Sequence, residues 1–190
     1  MHNLGPFSLL VIGGSAGALL PVLDLVSLLR YPSSLSVILV LHRKASDVDT
    51  LVELLASRTS FDVKDIDDKD SLRPGWIFVA PPDYHVLLEK DLTLSLDDSE
   101  KINFSRPSID VTFESAATVL GGKVACLLLS GANADGVAGL VVAKSKGAFI
   151  AVQDPAESEF PVMPQQALAQ VSVDMLVNQH TMRALSDLLP

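Results

Sequence analysis

Continuously apolar runs alternate with amphipathic segments at the start of the chain. Residues 8–14 and 35–41 are almost wholly apolar, which is typical of strands covered on both faces. Residues 17–30 carry leucines and valines at helical spacing, with a proline in the first turn, and residues 47–58 predict a second helix. The order strand, helix, strand, helix predicts a parallel sheet with right-handed crossovers.

The middle of the chain has a different pattern. Between residues 61 and 99, short apolar runs are broken by proline, glycine and aspartate, which predicts strands and hairpins appended to the sheet. Residues 107–120 then predict a helix, with Ser108 as its cap. The alternation of strands and helices returns after this helix, with strands predicted at 124–129 and 148–153 and helices at 135–146, 164–170 and 180–189.

Composition limits the class of protein. The 190 residues fit one domain, 1–190, with enough hydrophobic residues for a large core. We find no apolar run long enough to span a bilayer and no signal peptide, so we expect a cytoplasmic protein without membrane insertion. The net charge of -9 and the lack of a basic stripe argue against a nucleic-acid partner. The single cysteine, Cys126, lies in an apolar run and is interpreted as a buried structural thiol.

The segment VIGGSAGALLP places Ser15 in the pattern G-x-S-x-G, where the first strand should turn into a helix. Serine is favoured as a helix cap, so one interpretation of Ser15 is structural. The same turn can also expose a serine oxygen above the sheet edge, with helix N–H groups behind it, as a nucleophile requires. A serine hydroxyl is a poor nucleophile until a base removes its proton, so this second interpretation needs a histidine.

His42 is the best placed of the four histidines. It follows the second strand, which should lie beside the strand that leads to Ser15, although a surface histidine is the simpler alternative. His85 could belong to a site or to the ordinary surface. His2, near the terminus, and His180, at the start of the last helix, are weak candidates.

Asp135 is the candidate for the group that orients and stabilises the imidazole. It lies in SGANADG, residues 130–136, between a predicted buried strand and a helix, where Asp-Gly is also common capping chemistry. The resulting order along the chain is Ser15, His42, Asp135. Because α/β-hydrolases have the order Ser, Asp, His, this order argues against that fold despite the G-x-S-x-G match.

A dinucleotide-binding loop is the competing interpretation of the first turn. The run from His42 to Lys44 could then hold a 2'-phosphate. The turn lacks G-x-G-x-x-G, however, because Ser15 stands where the second glycine would let the backbone approach a pyrophosphate.

Six sequence segments resemble the catalytic domain of the chemotaxis protein-glutamate methylesterases, the CheB family. They occur in the family's order and at similar spacing over nearly the whole chain, which makes the resemblance specific although each segment alone is weak. The segments are VIGGSAGA (11–18), VILVLH (37–42), PGWIFVAPPDYH (74–85), RPSIDVTFESAA (106–117), LLLSGANADGVAGL (127–140) and AVQDPAESEFPVMPQQAL (151–168).

The resemblance implies a fold, a site and an activity. The fold would be α/β: a doubly wound, mainly parallel sheet flanked by helices on both faces, with an added antiparallel hairpin region. The resemblance implies a catalytic triad of Ser15, His42 and Asp135, the same residues that the strand ends suggest. The family hydrolyses glutamate methyl esters on the cytoplasmic helices of chemoreceptors, releasing methanol, and deamidates specific glutamines there. No metal or organic cofactor is implied.

Further site residues follow from the same resemblance. Backbone N–H groups of Ala16 and Ala132 are the candidate oxyanion donors. Arg106, Met163 and Pro164 are candidate site walls, although a structural proline and a buried methionine explain the last two equally well.

The sequence also departs from the family pattern. Ala16 and Ala18 stand where many members have threonine and glycine, Ala132 replaces a methionine, and Val162 replaces a glycine. These departures leave open a second function, in which the chain is a docking or regulatory module or acts on another esterified protein. We also expect no receiver domain in this polypeptide, which makes a separate receiver or kinase component a candidate partner.

Overall fold

A parallel sheet of seven strands forms the centre of the fold. The computed structural model describes residues 7–43 and 48–190. The strands are β1 (Leu9–Gly14), β2 (Ser36–Leu41), β3 (Asp62–Asp65), β4 (Asp70–Ser71), β5 (Trp76–Val79), β6 (His85–Leu88), β7 (Thr93–Asp97), β8 (Val124–Leu128), β9 (Phe149–Gln153) and β10 (Met175–Val177). The α-helices are α1 (Leu19–Leu28), α2 (Val48–Ala56), α3 (Ile109–Leu120), α4 (Val137–Ser145), α5 (Val162–Gln170) and α6 (Met182–Leu188).

The order of strands in the large sheet is β10-β9-β8-β1-β2-β5-β3, and every pairing in it is parallel. The chain first adds β2, β3 and β5 on one side of β1, and it later adds β8, β9 and β10 on the other side. Such a reversal of strand order creates a crevice at the carboxyl ends of the strands, where open α/β sheets bind ligands. The predicted pairing of the first two strands is confirmed, since β1 lies directly beside β2.

Helices cover both faces of this sheet, which confirms the doubly wound α/β class. One apolar cluster lies under α1, α2 and α6, and the other lies under α3, α4 and α5. The strands β1, β2 and β8 are buried along their whole length, which explains why their sequences are continuously apolar rather than alternating.

The middle of the chain differs in part from the prediction. The strands β4, β7 and β6 do form a separate antiparallel sheet, but β3 and β5 join the large sheet as parallel strands. The strand β10 was not predicted, because it has only three residues and no apolar run long enough to mark it.

A few predictions fall on residues outside the described part of the chain, namely His2, Lys44 and the predicted helix start at Asp47. None of the helices in residues 7–43 and 48–190 has the length and apolar character needed to cross a bilayer.

Candidate active site

The carboxyl ends of β8, β1 and β2 bring the three predicted segments together. The His42 N–H donates to the carbonyl of Gly14 at 3.2 Å, and the Ser15 N–H donates to the carbonyl of Ser130 at 2.9 Å. These bonds continue the ladders of the central strands beyond their ends. The segments that carry Ser15, His42 and Asp135 are therefore fixed to one another by the sheet itself.

Ser15 lies in a turn before α1 and is not its cap. The helix begins at Leu19, with Ala18 in the capping position and no side-chain capping bond, and the Ser15 carbonyl accepts from the Ala18 N–H at 3.1 Å. The structural interpretation of Ser15 as a helix cap is therefore wrong. Within the described residues the Ser15 hydroxyl makes no hydrogen bond, and its side chain is partly exposed.

Gly17 and Ser130 hold this turn in place. Gly17 has φ +77°, and a Cβ there would come within 2.7 Å of the Ser130 hydroxyl, so the turn requires glycine on both counts. Ser130 is fully buried, and its hydroxyl donates to the Ala16 carbonyl at 2.8 Å and accepts from the Phe160 N–H at 2.9 Å. Sequence reasoning did not identify Ser130, although it opens the segment singled out for Asp135.

His42 forms a direct hydrogen bond with Asp135. The Nε2 atom of His42 lies 2.8 Å from Asp135 Oδ2, and the side chains are 15% and 0% exposed, respectively. A carboxylate accepts hydrogen bonds, so the proton of the neutral ring sits on Nε2 and Nδ1 remains as the basic nitrogen. This contact is compatible with the predicted pair of a base and its orienting carboxylate, whose roles stay a prediction.

Asp135 also binds the N-terminus of α3. Its Oδ1 accepts from the Ser108 hydroxyl at 2.9 Å and its Oδ2 from the Ile109 N–H at 2.8 Å, while the Asp110 N–H donates to Oδ1 at 3.2 Å. A carboxylate at a helix N-terminus satisfies N–H groups that have no partner within the helix. The Ser108 hydroxyl was predicted to cap α3, but it donates to Asp135 instead. The helix α4 begins after Gly136 and has no side-chain capping bond, so Asp135 does not cap it.

These bonds determine the charge of Asp135. Burial alone raises the pKa of its carboxyl, but the hydrogen bonds from His42 and from the α3 backbone outweigh burial and hold the pKa below its usual value. Asp135 is therefore ionised at neutral pH and can stabilise a protonated His42 ring.

A pocket of about 320 Å³ opens beside these residues. Ser15 and His42 line it together with apolar side chains from α1, β2 and α2, including Leu19, Leu41 and Leu51. In the described part of the chain, the N–H groups of Ala16 and Ala132 donate to no protein acceptor, and both residues are exposed. They are thus available to a bound oxygen, as an oxyanion site requires.

Arg43, which lines this pocket, and Arg106, just before α3, both donate hydrogen bonds to protein atoms. Arg43 donates to Asp65 at 2.6 Å and to the Ala80 carbonyl at 3.2 Å, and its side chain is 7% exposed. This ion pair gives Arg43 a structural partner in place of the 2'-phosphate considered above. Arg106 donates to the carbonyls of Asp98 and Ser99, the latter at 2.7 Å.

Met163 and Pro164 are both buried at the start of α5. Met163 packs against Gly131, where a Cβ would come within 2.5 Å of the Met163 Cε. Met163 therefore lies against the loop that leads to Asp135, and its N–H donates to the Gly131 carbonyl at 3.0 Å.

His85 and Cys126 lie inside the protein. The His85 Nδ1 accepts from the Ser108 N–H at 3.1 Å and Nε2 contacts the Glu100 carbonyl at 3.0 Å, so the surface interpretation of His85 is wrong. Cys126 is fully buried in β8, and burial raises the pKa of its thiol. Within the described residues, no group of three or more His, Cys, Asp or Glu side chains is arranged to hold a metal ion.

Comparison with known proteins agrees with the motifs. The CheB methylesterase family model matches residues 10–185. A Leptospira interrogans protein named "Putative protein-glutamate methylesterase/protein-glutamine glutaminase" is 36% identical over 172 residues, which is 90% of this chain and 89% of that protein. The protein-glutamate methylesterase/protein-glutamine glutaminase of Mesorhizobium japonicum is 35% identical over 85% of this chain, but the match spans 48% of that protein, about half its length.

The fold agrees as well. The crystal structure of the Thermotoga maritima CheB methylesterase catalytic domain superposes with a TM-score of 0.89, covering 95% of this chain and 97% of that one, at 24% sequence identity. The resemblance drawn from the six segments is thereby confirmed: this chain belongs to the CheB methylesterase family.

Proposed function

We propose that this CheB-family chain hydrolyses the methyl esters of glutamate side chains through a serine nucleophile, Ser15, with His42 as base and Asp135 as the carboxylate that orients it. The observation that carries the proposal is the 2.8 Å bond between His42 and Asp135 beside a pocket that Ser15 shares. Relatives over most of the chain are named for this activity. The alternative of a docking module without activity is not favoured, because those names are enzyme names.

The reaction follows from the protonation states at the site. His42 Nδ1 takes the proton of the Ser15 hydroxyl as the oxygen attacks the ester carbonyl, and the negative charge of Asp135 stabilises the imidazolium that forms. The carbonyl oxygen becomes an oxyanion, for which the N–H groups of Ala16 and Ala132 are the proposed donors. The Ser15 hydroxyl has no hydrogen bond within the described residues, so its bond to Nδ1 would have to form when substrate binds, and catalytic hydrogen bonds commonly tighten only then.

Release of the products completes the cycle. The His42 imidazolium protonates the methoxy oxygen, the C–O bond breaks and methanol leaves a glutamyl ester on Ser15. Water then attacks this ester as His42 takes its proton. The His42 imidazolium returns this proton to the Ser15 oxygen as the acyl C–O bond breaks, which frees the glutamate and restores Ser15. With a glutamine side chain the same steps would release ammonia, which accounts for glutaminase activity without any further residue.

The proposed substrate is the helical cytoplasmic region of a methyl-accepting chemoreceptor, and a separate receiver or kinase component is a proposed regulator. Both follow from the family's part in chemotaxis. A side chain on a protein helix would have to reach a nucleophile at the mouth of a pocket, and the partly exposed position of Ser15 supports such access.

Methanol release from a methylated receptor cytoplasmic fragment tests the proposal. We expect Ser15→Ala to reduce the rate by a factor of about 10⁴ or more, because no nucleophile remains. The control is Ser27→Ala, which removes an exposed serine of α1 and should retain full activity. Equal rates for the wild type and Ser15→Ala, with both proteins folded by circular dichroism, would refute the assignment.

A further inference from the structure

Ser130 is a buried polar residue that the mechanism above does not use. It lies two residues after β8, at the carboxyl end of the central sheet, and it is fully buried, so its side chain is out of reach of a substrate. A buried hydroxyl group is costly to retain unless it is hydrogen-bonded. The partners of the Ser130 hydroxyl therefore indicate what it does.

Two atoms of Ser130 bond the turn that carries Ser15. The Ser130 carbonyl accepts from the Ser15 N–H at 2.9 Å, and the Ser130 hydroxyl donates to the Ala16 carbonyl at 2.8 Å. The backbone between these two anchors includes the Cα atom of Ser15 and the N–H group of Ala16. Ser130 thus holds both the proposed nucleophile and a proposed oxyanion donor.

The Ala16 carbonyl depends on this hydroxyl. Within residues 7–43 and 48–190, the structure gives this carbonyl no other donor. The next residue, Gly17, has φ +77° and no side chain, so the peptide group between Ala16 and Gly17 is free to rotate once the bond is lost. The Ser130 hydroxyl also fills the space beside Gly17, since it lies 2.7 Å from the position of a Cβ there.

Further hydrogen bonds hold Ser130 itself. The Phe160 N–H donates to the Ser130 hydroxyl at 2.9 Å, which leaves the hydroxyl proton for the Ala16 carbonyl. The Phe160 carbonyl lies 3.3 Å from the hydroxyl but accepts from the Gly131 N–H at 3.0 Å. The Ser130 N–H donates to Oε1 of the buried Gln153 at 2.8 Å. These bonds fix the position from which Ser130 contacts the turn.

We propose that Ser130 is a positioning residue for the ester hydrolysis: its hydroxyl holds the Ala16 carbonyl and so keeps Ser15 and the Ala16 N–H in the geometry that the reaction requires. This inference rests on the proposed function, in which Ser15 is the nucleophile. A nucleophile and an oxyanion donor act in the transition state, so their displacement lowers kcat rather than weakening substrate binding.

Separate kcat and KM values of Ser130→Ala for methanol release test this role. We expect kcat to fall by about 10- to 100-fold, because the freed Ala16 carbonyl lets the turn shift, and small displacements of reacting groups are costly. KM should stay within about twofold of the wild-type value, because Ser130 does not reach the substrate. Phenylmethylsulfonyl fluoride reacts with serine nucleophiles, and it should label Ser15 more slowly by a similar factor.

The matched control is Ser186→Ala. Ser186 is also buried, and its hydroxyl donates to the Leu28 carbonyl at 2.8 Å, at the end of α1 away from Ser15. The change removes a bond of the same kind and length. It should therefore lower the midpoint of urea unfolding about as much as Ser130→Ala does, while kcat stays near the wild-type value.

Three results would overturn the proposal: a wild-type kcat in folded Ser130→Ala, a rise in KM alone, or an equal loss of kcat in Ser186→Ala. If Ser130→Ala does not fold, Ser130→Cys takes its place, because a thiol is similar in size but a weak donor. Its kcat should also fall, and the same three results apply to it. Absence of Ser15-dependent methanol release in the wild type would instead contradict the proposed function itself.

Discussion

At the scale of single residues, Asp135 connects the proposed catalytic base with the fold. One of its oxygens contacts both His42 and the Ile109 N–H, and the other accepts from Ser108 and Asp110. The hydrogen bond from His42 and the donors on the α3 side hold the pKa of the carboxyl below its usual value, although it is fully buried. The same group therefore bonds His42, the proposed base, and satisfies the first turn of a helix.

Replacing Asp135 with asparagine should affect both roles. An amide cannot stabilise the imidazolium, and in other triads this change costs about 10⁴ in kcat. Its NH₂ group would also face the donors of α3, so we expect the midpoint of urea unfolding to fall. The measurements are methanol release and urea denaturation of Asp135→Asn.

The comparison for this variant is Asp174→Asn. Asp174 accepts from Lys144 and from the Ile150 N–H near the start of β9. This position lies at the amino ends of the parallel strands, whereas the site lies at their carboxyl ends. This change should reduce stability and leave kcat near the wild-type value. A normal kcat in Asp135→Asn would contradict the assigned role of Asp135.

The sequence predicted the residues whose position depends on strand order alone. Ser15, His42 and Asp135 each follow a continuously apolar strand, and parallel strands place such residues at one edge. It did not predict the contacts of Ser108, Ser130 or Asp110, because these depend on where side chains point after distant segments pack. Ser108 and Asp110 have ordinary capping positions in the sequence, and nothing local indicates that their partner is Asp135.

At the scale of elements, the contact between α3 and α4 shapes the site. Gly139 lies inside α4, where glycine normally weakens a helix relative to alanine. Here it allows α4 to lie against the first turn of α3 and to donate to Asp110. The position of α3, and with it the surroundings of Asp135, therefore depends on a residue without a side chain.

Gly139→Ala should destabilise the protein, contrary to the usual effect of alanine in a helix. The added methyl group would push α4 away from α3, and overpacking of this kind costs about 1–3 kcal/mol. Urea denaturation measures the loss. Val141→Ala, an exposed change in the same helix, should be close to neutral, and a stabilised Gly139→Ala would show that the two helices separate without cost.

Element types were predictable where the pattern was long and periodic. The helices and the central strands agree with prediction to within a few residues. The strands β3 and β5 fall in the region where strands and hairpins appended to the sheet were predicted, and they join the large sheet as parallel strands, with β3 at its edge. The sequence did not predict which of the strands in this region would pair with the large sheet, because pairing partners depend on how the whole chain packs and short strands do not encode them locally.

At the scale of the whole molecule, stability depends on pH through the buried carboxyl groups. The pKa of Asp110 rises from the ordinary value of 3.8 to about 6, so the folded protein holds a proton that the unfolded chain has released. The Asp110 contribution is therefore favourable below the ordinary value and is lost as pH rises to about 6. The pKa of Asp135 is shifted in the opposite direction, so its contribution is lost in acid.

Asp110→Asn loses one of the two hydrogen bonds from Gly139 and Asn103 at every pH, but it also removes this titration, so its stability relative to the wild type should rise as the pH goes from 4 to 7. A shift of this size corresponds to about 2–3 kcal/mol, or a relative change in Tm of roughly 4–12 °C across this pH range for a chain of this length. The relative gain should disappear toward pH 4, where Asp110 is protonated in the folded wild type. Thermal melts across this pH range are the measurement, and a Tm difference that does not change with pH would contradict the raised pKa.

The adjacency of β8, β1 and β2 has a practical consequence for following the protein in solution. The His42–Asp135 pair joins residues 93 positions apart, and it forms only when these strands have paired. Ester cleavage during refolding would therefore report the moment at which distant parts of the chain meet, whereas circular dichroism reports local helices that can form earlier. A lag between the two signals would time the assembly of the central sheet.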